Sequence, residues 1–212
     1  MALHRLRNFK LYKRILLAIT GASGSIYAER LLEILLTKHP EIRVYLVCTD
    51  TAVKVIHYEL KDSLGDFSLR QILAAKGKGY EQLTLFRNDD FFTPLASGSS
   101  APTDMVVLPC SMGTLARIRG GLSSNLLERC ADVMLKQKGR LVICPRESPF
   151  NQIHLENMLD LCKMGVQLVP LMPGFYFRPT CLSDIVDFQV GKILETLEMT
   201  HDLYKPWAHR LM

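Results

Sequence analysis

The chain has 212 residues, 48% of them hydrophobic and 22% charged, which suits a soluble globular protein built on one full-sized core. No apolar run approaches the roughly 18 residues needed to cross a bilayer, and this argues against a membrane protein. The net charge of +5, with no basic helix interleaved with aromatics, argues against nucleic-acid binding.

The elements follow in chain order. Residues 1–13 read as a basic N-terminal tail, with Arg5, Arg7, Lys10 and Lys13 and no acid. Such a stretch suits a transit segment or a solvated tail, and the solvated tail is the favoured reading. Residues 14–20 (RILLAIT) are a short apolar run ending in a glycine turn, the pattern of a buried parallel strand. Residues 25–38 carry apolar side chains at helical spacing. A strand is predicted over 43–48, then a helix to about residue 60 capped by Thr49 or Thr51. Residues 61–94 are less regular, with a helical stretch near 69–76 and a strand near 83–87. Beyond them lie a strand over 105–108 closed by Pro109, helices over 111–118 and 124–138, and a strand over 141–144. The last elements are a helix over 150–163, a strand over 166–169 and an amphipathic helix over 183–197. This alternation predicts an α/β fold, a doubly wound parallel sheet with helices on both faces.

Ligands of such folds bind beyond the carboxyl ends of the strands, so the segments just after each strand carry the chemistry. TGASGS (20–25) follows a strand and opens a helix, where glycines admit a ligand to the backbone and helix N–H groups attract anions. Ser23 there suits a ligand phosphate, a flavin ring atom or a simple helix cap. PCSMGT (109–114) repeats the layout, with Ser111 and Thr114 spaced to face one anion. PRESP (145–149) sets Arg146 and Glu147 between two prolines, a rigid mount for a guanidinium that recognises phosphate or carboxylate. PGFYFRP (173–179) concentrates three aromatics in one loop, which should cover a flat ring or an apolar tail. Glu59 is a lone candidate acid or base. There is no GxGxxG fingerprint, HExxH or GxSxG elbow. The six cysteines (48, 110, 130, 144, 162 and 181) form no CxxC pair, so free thiols in a reducing cytoplasm are expected rather than disulfides or zinc.

Together ITGASGSIYAERLL, ASGSSAPTDMVVLPCSMGTLARI, NLLERCADVMLK, LVICPRESPFNQIHLENML and PLMPGFYFRP resemble the UbiX-type flavin prenyltransferases, from about residue 16 to the C-terminus with a divergent stretch near 60–87. The resemblance implies a Rossmann-like, flavodoxin-like single domain over 14–199, with a C-terminal tail (200–212) over the active site. It implies trimers packed into a homo-dodecamer. It also implies a metal-independent reaction that joins a dimethylallyl group from dimethylallyl phosphate to reduced FMN at N5 and C6. The prenylated flavin would then serve a UbiD-type decarboxylase, often in ubiquinone biosynthesis.

Carried over by position, the FMN-binding set is Gly21, Ala22, Ser23, Thr49 (a serine in many members), Ser111, Met112, Gly113, Thr114 and Arg146. The catalytic group is Ser23, Glu59, Lys136, Glu147 and Tyr176. Substrate binding falls to Ser97 and Gly98 in the prenyl pocket, and to Lys136, Tyr176 and Lys192 around the phosphate. Arg129 would reach in from a neighbouring subunit, and Trp207 would fold over the site. Lys192 replaces an arginine found in some members. The related cysteine decarboxylases carry a PxMNxxMW-type motif, where this chain has PLMPGFYFRP.

Overall fold

The computed structural model describes residues 13–61 and 67–205. Its elements are β1 (Arg14–Ile19), α1 (Ser25–Lys38), β2 (Arg43–Cys48), α2 (Asp50–Glu59), α3 (Leu69–Ala74), β3 (Leu83–Arg87), β4 (Asp104–Cys110), α4 (Met112–Arg119), α5 (Leu126–Gln137), β5 (Arg140–Pro145), α6 (Gln152–Lys163), β6 (Gln167–Leu168) and α7 (Leu182–Thr196). Two single 3-10 turns, Pro94–Ala96 and Gly98–Ser100, lie between β3 and β4.

Each predicted element is present, with ends shifted by at most two residues. The largest difference in kind is at Pro109, which was expected to close its strand. Instead β4 runs through it to Cys110. Proline removes a ladder donor, and the strand absorbs the loss with a register shift against β5 between Val107 and Cys110.

The six strands form one parallel sheet in the order β3-β2-β1-β4-β5-β6. Chain order reverses between β1 and β4, so the turns after these two strands flank the crevice where doubly wound sheets take their ligands. Alternation along β1 divides the core. Ile15, Leu17 and Ile19 face α1, α2, α3 and α7, while Leu16 and Ala18 face α4, α5 and Leu161 of α6. Each such buried side chain contributes about 1.5–3 kcal/mol relative to exposure.

Polar contacts at the carboxyl edge lock the strand ends together. The Thr49 amide donates to Ile19 O at 3.0 Å and the Arg146 amide to Cys110 O at 3.2 Å. The buried Thr20 hydroxyl accepts the Ser111 amide at 2.8 Å and donates to Pro109 O at 2.8 Å. Thr20→Val keeps the shape of the side chain but leaves the Ser111 amide without its acceptor and Pro109 O with the Thr20 amide alone. It should lower the unfolding free energy by about 1–3 kcal/mol in urea titrations.

Candidate active site

The turn after β1 is shaped by two glycines. A side chain at Gly21 would place its Cβ 2.4 Å from Thr51 Cγ2, and Gly24, with φ of +112°, occupies the left-handed region before α1. The first amides of α1 are already taken by the Glu59 carboxylate, which accepts from Gly24 N at 3.0 Å and Ser25 N at 2.9 Å. The Ser23 hydroxyl bonds the same carboxylate. Burial alone would raise the Glu59 pKa, but these bonds outweigh it and hold the carboxyl below its ordinary range. Glu59 is therefore an ionised acceptor at neutral pH, seated at a helix N-terminus that favours negative charge. Of the two anion-binding turns expected from sequence, this one is filled from within the chain. Gly21 and Ala22 take no part in that cluster, whereas the Ser23 hydroxyl is already bonded to Glu59.

After β2, Thr49 caps α2, its hydroxyl oxygen accepting from Ala52 N at 3.1 Å. After β4, Ser111 caps α4. Its hydroxyl oxygen receives the Thr114 amide at 3.3 Å and its carbonyl receives the Leu115 amide at 3.0 Å. A helix start leaves four amides without an internal partner, so Met112 and Gly113 remain to meet a ligand. This second turn is braced from behind. Arg117 donates to the Thr114 hydroxyl at 3.2 Å and to the fully buried Glu128 carboxylate at 2.5 Å, and Glu128 also accepts from Ser124 N at 2.9 Å.

Arg146 follows β5, its backbone tied to Cys110 beside the Ser111 turn. Its side-chain Nε is buried and has no hydrogen-bond partner among the described residues. A buried guanidinium donor left unmet is costly, so this atom marks a place for an acceptor brought by a ligand. Glu147 beside it accepts the next amide, Ser148 N, at 3.0 Å.

The aromatic loop after β6 is anchored where Leu171 N donates to Pro145 O at 3.1 Å and the buried Gln189 amide donates to Pro170 O at 2.9 Å. Phe177 stacks on Phe188 of α7 with centroids 4.7 Å apart, and Tyr176 meets the same ring edge-on at 5.5 Å. Lys192 Nζ lies 5.7 Å from the Phe188 centroid. The loop thus does two things: Phe177 packs on α7, while Phe175 and Tyr176 stay exposed. Tyr176 and Lys192, expected together around a phosphate, share one ring.

The other expected residues lie elsewhere. Gly98 packs against α5, where a Cβ would fall 2.3 Å from Gln137 Nε2, and Ser97 precedes it. Arg129 donates to Ala96 O at 3.1 Å and pairs with Asp132 at 2.6 Å. Lys136 is exposed in the last turn of α5, just before β5 begins at the amino edge of the sheet. A six-residue strand spans about 20 Å, which separates Lys136 from the carboxyl edge where the loop carrying Tyr176 leaves the sheet. Trp207 and most of both tails lie outside the described residues.

Burial pushes the thiols of Cys48, Cys110 and Cys130 up to about 12 and that of Cys144 well above its ordinary value, which disfavours a cysteine nucleophile. Among the described residues no group of three His, Cys, Asp or Glu side chains is placed to hold a metal, and no helix is long and apolar enough to cross a membrane. Sequence reasoning missed Thr20, Arg117 and Glu128. The Asn125-to-Glu128 spacing before an apolar run, a helix-start signature, was the available signal for the last.

Comparison with known proteins identifies the family and agrees with the fold. The Flavoprotein family model matches residues 5–203. A flavin prenyltransferase UbiX of Halalkalibacterium halodurans is 48% identical over 191 residues, covering 90% of this chain and 91% of the relative. The crystal structure of AnUbiX (PadA1) in complex with FMN and dimethylallyl pyrophosphate superposes with a TM-score of 0.81 at 33% identity, over 92% of this chain and 97% of that one. A dodecameric FMN-dependent UbiX-like decarboxylase from Escherichia coli O157:H7 gives 0.81 at 36% identity, over 92% and 98%. The chain belongs to the flavoprotein family and, within it, to the UbiX flavin prenyltransferases.

Proposed function

We propose that the protein transfers the dimethylallyl group of dimethylallyl phosphate to N5 and C6 of reduced FMN, releasing phosphate. The observation that carries this reading is the buried Arg146 Nε, unmet among the described residues, on a turn whose backbone is tied to Cys110 just before the Ser111–Thr114 helix start. A planar, phosphate-bearing ligand satisfies both that donor and the helix start, and relatives of this chain are flavin prenyltransferases.

In this reading FMN is held by Gly21, Ala22, Ser23, Thr49, Ser111, Met112, Gly113, Thr114 and Arg146. Reduced flavin supplies the electron-rich ring atoms that take up the allylic carbon. The protein supplies charge, alignment and dryness. Lys192 and the Tyr176 hydroxyl stabilise the anion that leaves. Lys136 and Arg129 of a second copy complete that cluster, since within one chain Lys136 sits at the far edge. Glu147, on the rigid turn beside Arg146, joins the phosphate group of residues. Ser97 and Gly98 line the prenyl pocket. The exposed part of the aromatic loop, with Trp207, keeps water from the developing cation. Ser23 relays a proton released during ring closure to ionised Glu59, which already accepts its hydroxyl hydrogen. The assembly is a homo-dodecamer of trimers, the compartment the cytoplasm, and the product is passed to a UbiD-type decarboxylase, in ubiquinone biosynthesis.

The direct test is incubation with reduced FMN and dimethylallyl phosphate, followed by mass measurement of the flavin. An unmodified flavin, or release of carbon dioxide from an aromatic acid by this chain alone, overturns the proposal. Arg146→Lys should weaken FMN binding by about 1.5–3 kcal/mol, on the order of 10- to 100-fold in Kd by flavin fluorescence. Glu59→Gln should keep FMN affinity within about twofold while slowing product formation on the order of 100-fold or more. The same substitution has a pH signature. The folded pKa of Glu59 lies below its unfolded value, so its stabilisation is complete above the unfolded value and is lost as pH falls through the folded one. Urea unfolding between about pH 7 and pH 3 should therefore show a steeper loss in the parent than in Glu59→Gln.

A further inference from the structure

Lys192 does not stand alone on α7. Its Nζ lies 2.9 Å from Glu195 Oε2 and 5.0 Å from the centroid of Tyr204, with the Phe188 ring on another side. The Tyr204 hydroxyl donates to Glu195 Oε1, and its ring lies 4.9 Å from that of Phe188. His201 also reaches Glu195 Oε1, at 3.5 Å. The segment carrying His201 and Tyr204 lies this close because residue 191 is glycine. A Cβ there would fall 2.5 Å from Tyr204 Cε1 and 2.8 Å from His201 Cε1. A long ammonium side chain that is otherwise free loses much of its rotamer entropy when it meets an anion. Here that freedom is already removed. Burial against the rings would lower the Lys192 pKa, but its bonds to Tyr204 and Glu195 outweigh this and keep the charge in place.

We infer that Tyr204 and Glu195 are positioning residues. Docked on Gly191, the C-terminal segment holds the Lys192 ammonium between two aromatic faces, so that it meets the allylic phosphate beside Tyr176 already aligned. The inference rests on the reading of Lys192 given under Proposed function.

The test compares the full-length parent with Tyr204→Phe, Gly191→Ala and Lys192→Met, and with Tyr204→Phe combined with Lys192→Met. Prenylated flavin formation is followed against dimethylallyl phosphate, and inorganic phosphate binding to the FMN-loaded protein is followed by calorimetry. Tyr204→Phe keeps the ring and removes the hydroxyl. It should raise KM about five- to tenfold, with kcat and FMN affinity within about twofold. Gly191→Ala, which alters none of the interacting side chains, should do at least as much. With Lys192→Met present, Tyr204→Phe should add no further loss, because the two act through one ammonium. An unchanged or lower KM in both single variants, or losses that add in the double variant, overturns the inference. If the parent makes no prenylated flavin, the prenyl-transfer reading fails, and the same comparison on phosphate affinity still decides the role of Tyr204. A parent that binds no phosphate overturns both.

Discussion

The Thr20 hydroxyl sits where the order of strands reverses, and it bonds the amide that opens one ligand turn from the end of the strand that opens the other. Both turns depend on this spacing. Beyond the last paired residues of β1 and β4 the Thr20 amide still donates to Pro109 O, and the buried Thr20 hydroxyl adds a bond to that carbonyl and one to the Ser111 amide, fixing the gap at hydrogen-bond length. The glycine at 21 and the Ser111 cap then act on a frame whose width is already set.

Charge on this frame is distributed by position. Glu59 occupies the positive end of α1, and its ionisation is secured by donors that are part of the fold. The cations of the site are treated differently. Arg117 is consumed by Glu128 and serves as a brace, Arg146 keeps a donor in reserve, and Lys192 is shared with a carboxylate and two rings. Arginine and lysine therefore divide along physical lines. The fork that can brace or clamp through several donors stands beside the Ser111–Thr114 turn, while the single ammonium stands beside the aromatic loop, as the proposed reaction would require.

Much of the fold was legible because its signals are local. RILLAIT and RVYLVC are short apolar runs closed by turn residues, and Thr49, one of the two cap candidates, caps α2. The candidate site was legible in part. TGASGS, PCSMGT and PRESP could be found because ligands of doubly wound sheets gather after the strands. What stayed hidden depends on distance in three dimensions. Nothing in TGASGS says that Glu59, some 35 residues on, will occupy its amides. Nothing in PCSMGT says that Arg117 and Glu128 stand behind it. Lys136 could be matched by resemblance, but only the topology shows it at the opposite edge from Tyr176. Pro109 misled for a local reason, since proline usually stops a strand and the register shift that tolerates it has no sequence mark.

The buried thiols bear on what such a cleft can safely contain. Cys48, half-buried, and Cys110 and Cys144, fully buried, belong to three of the strands that end around it, and Cys110 immediately precedes Ser111. An activated allyl donor is an alkylating agent, and a thiolate is the protein group best able to intercept it. Because these sulfurs are held in an apolar interior they stay protonated far above physiological pH. The sheet that aims the reactants at each other is thereby shielded from self-alkylation by its own packing.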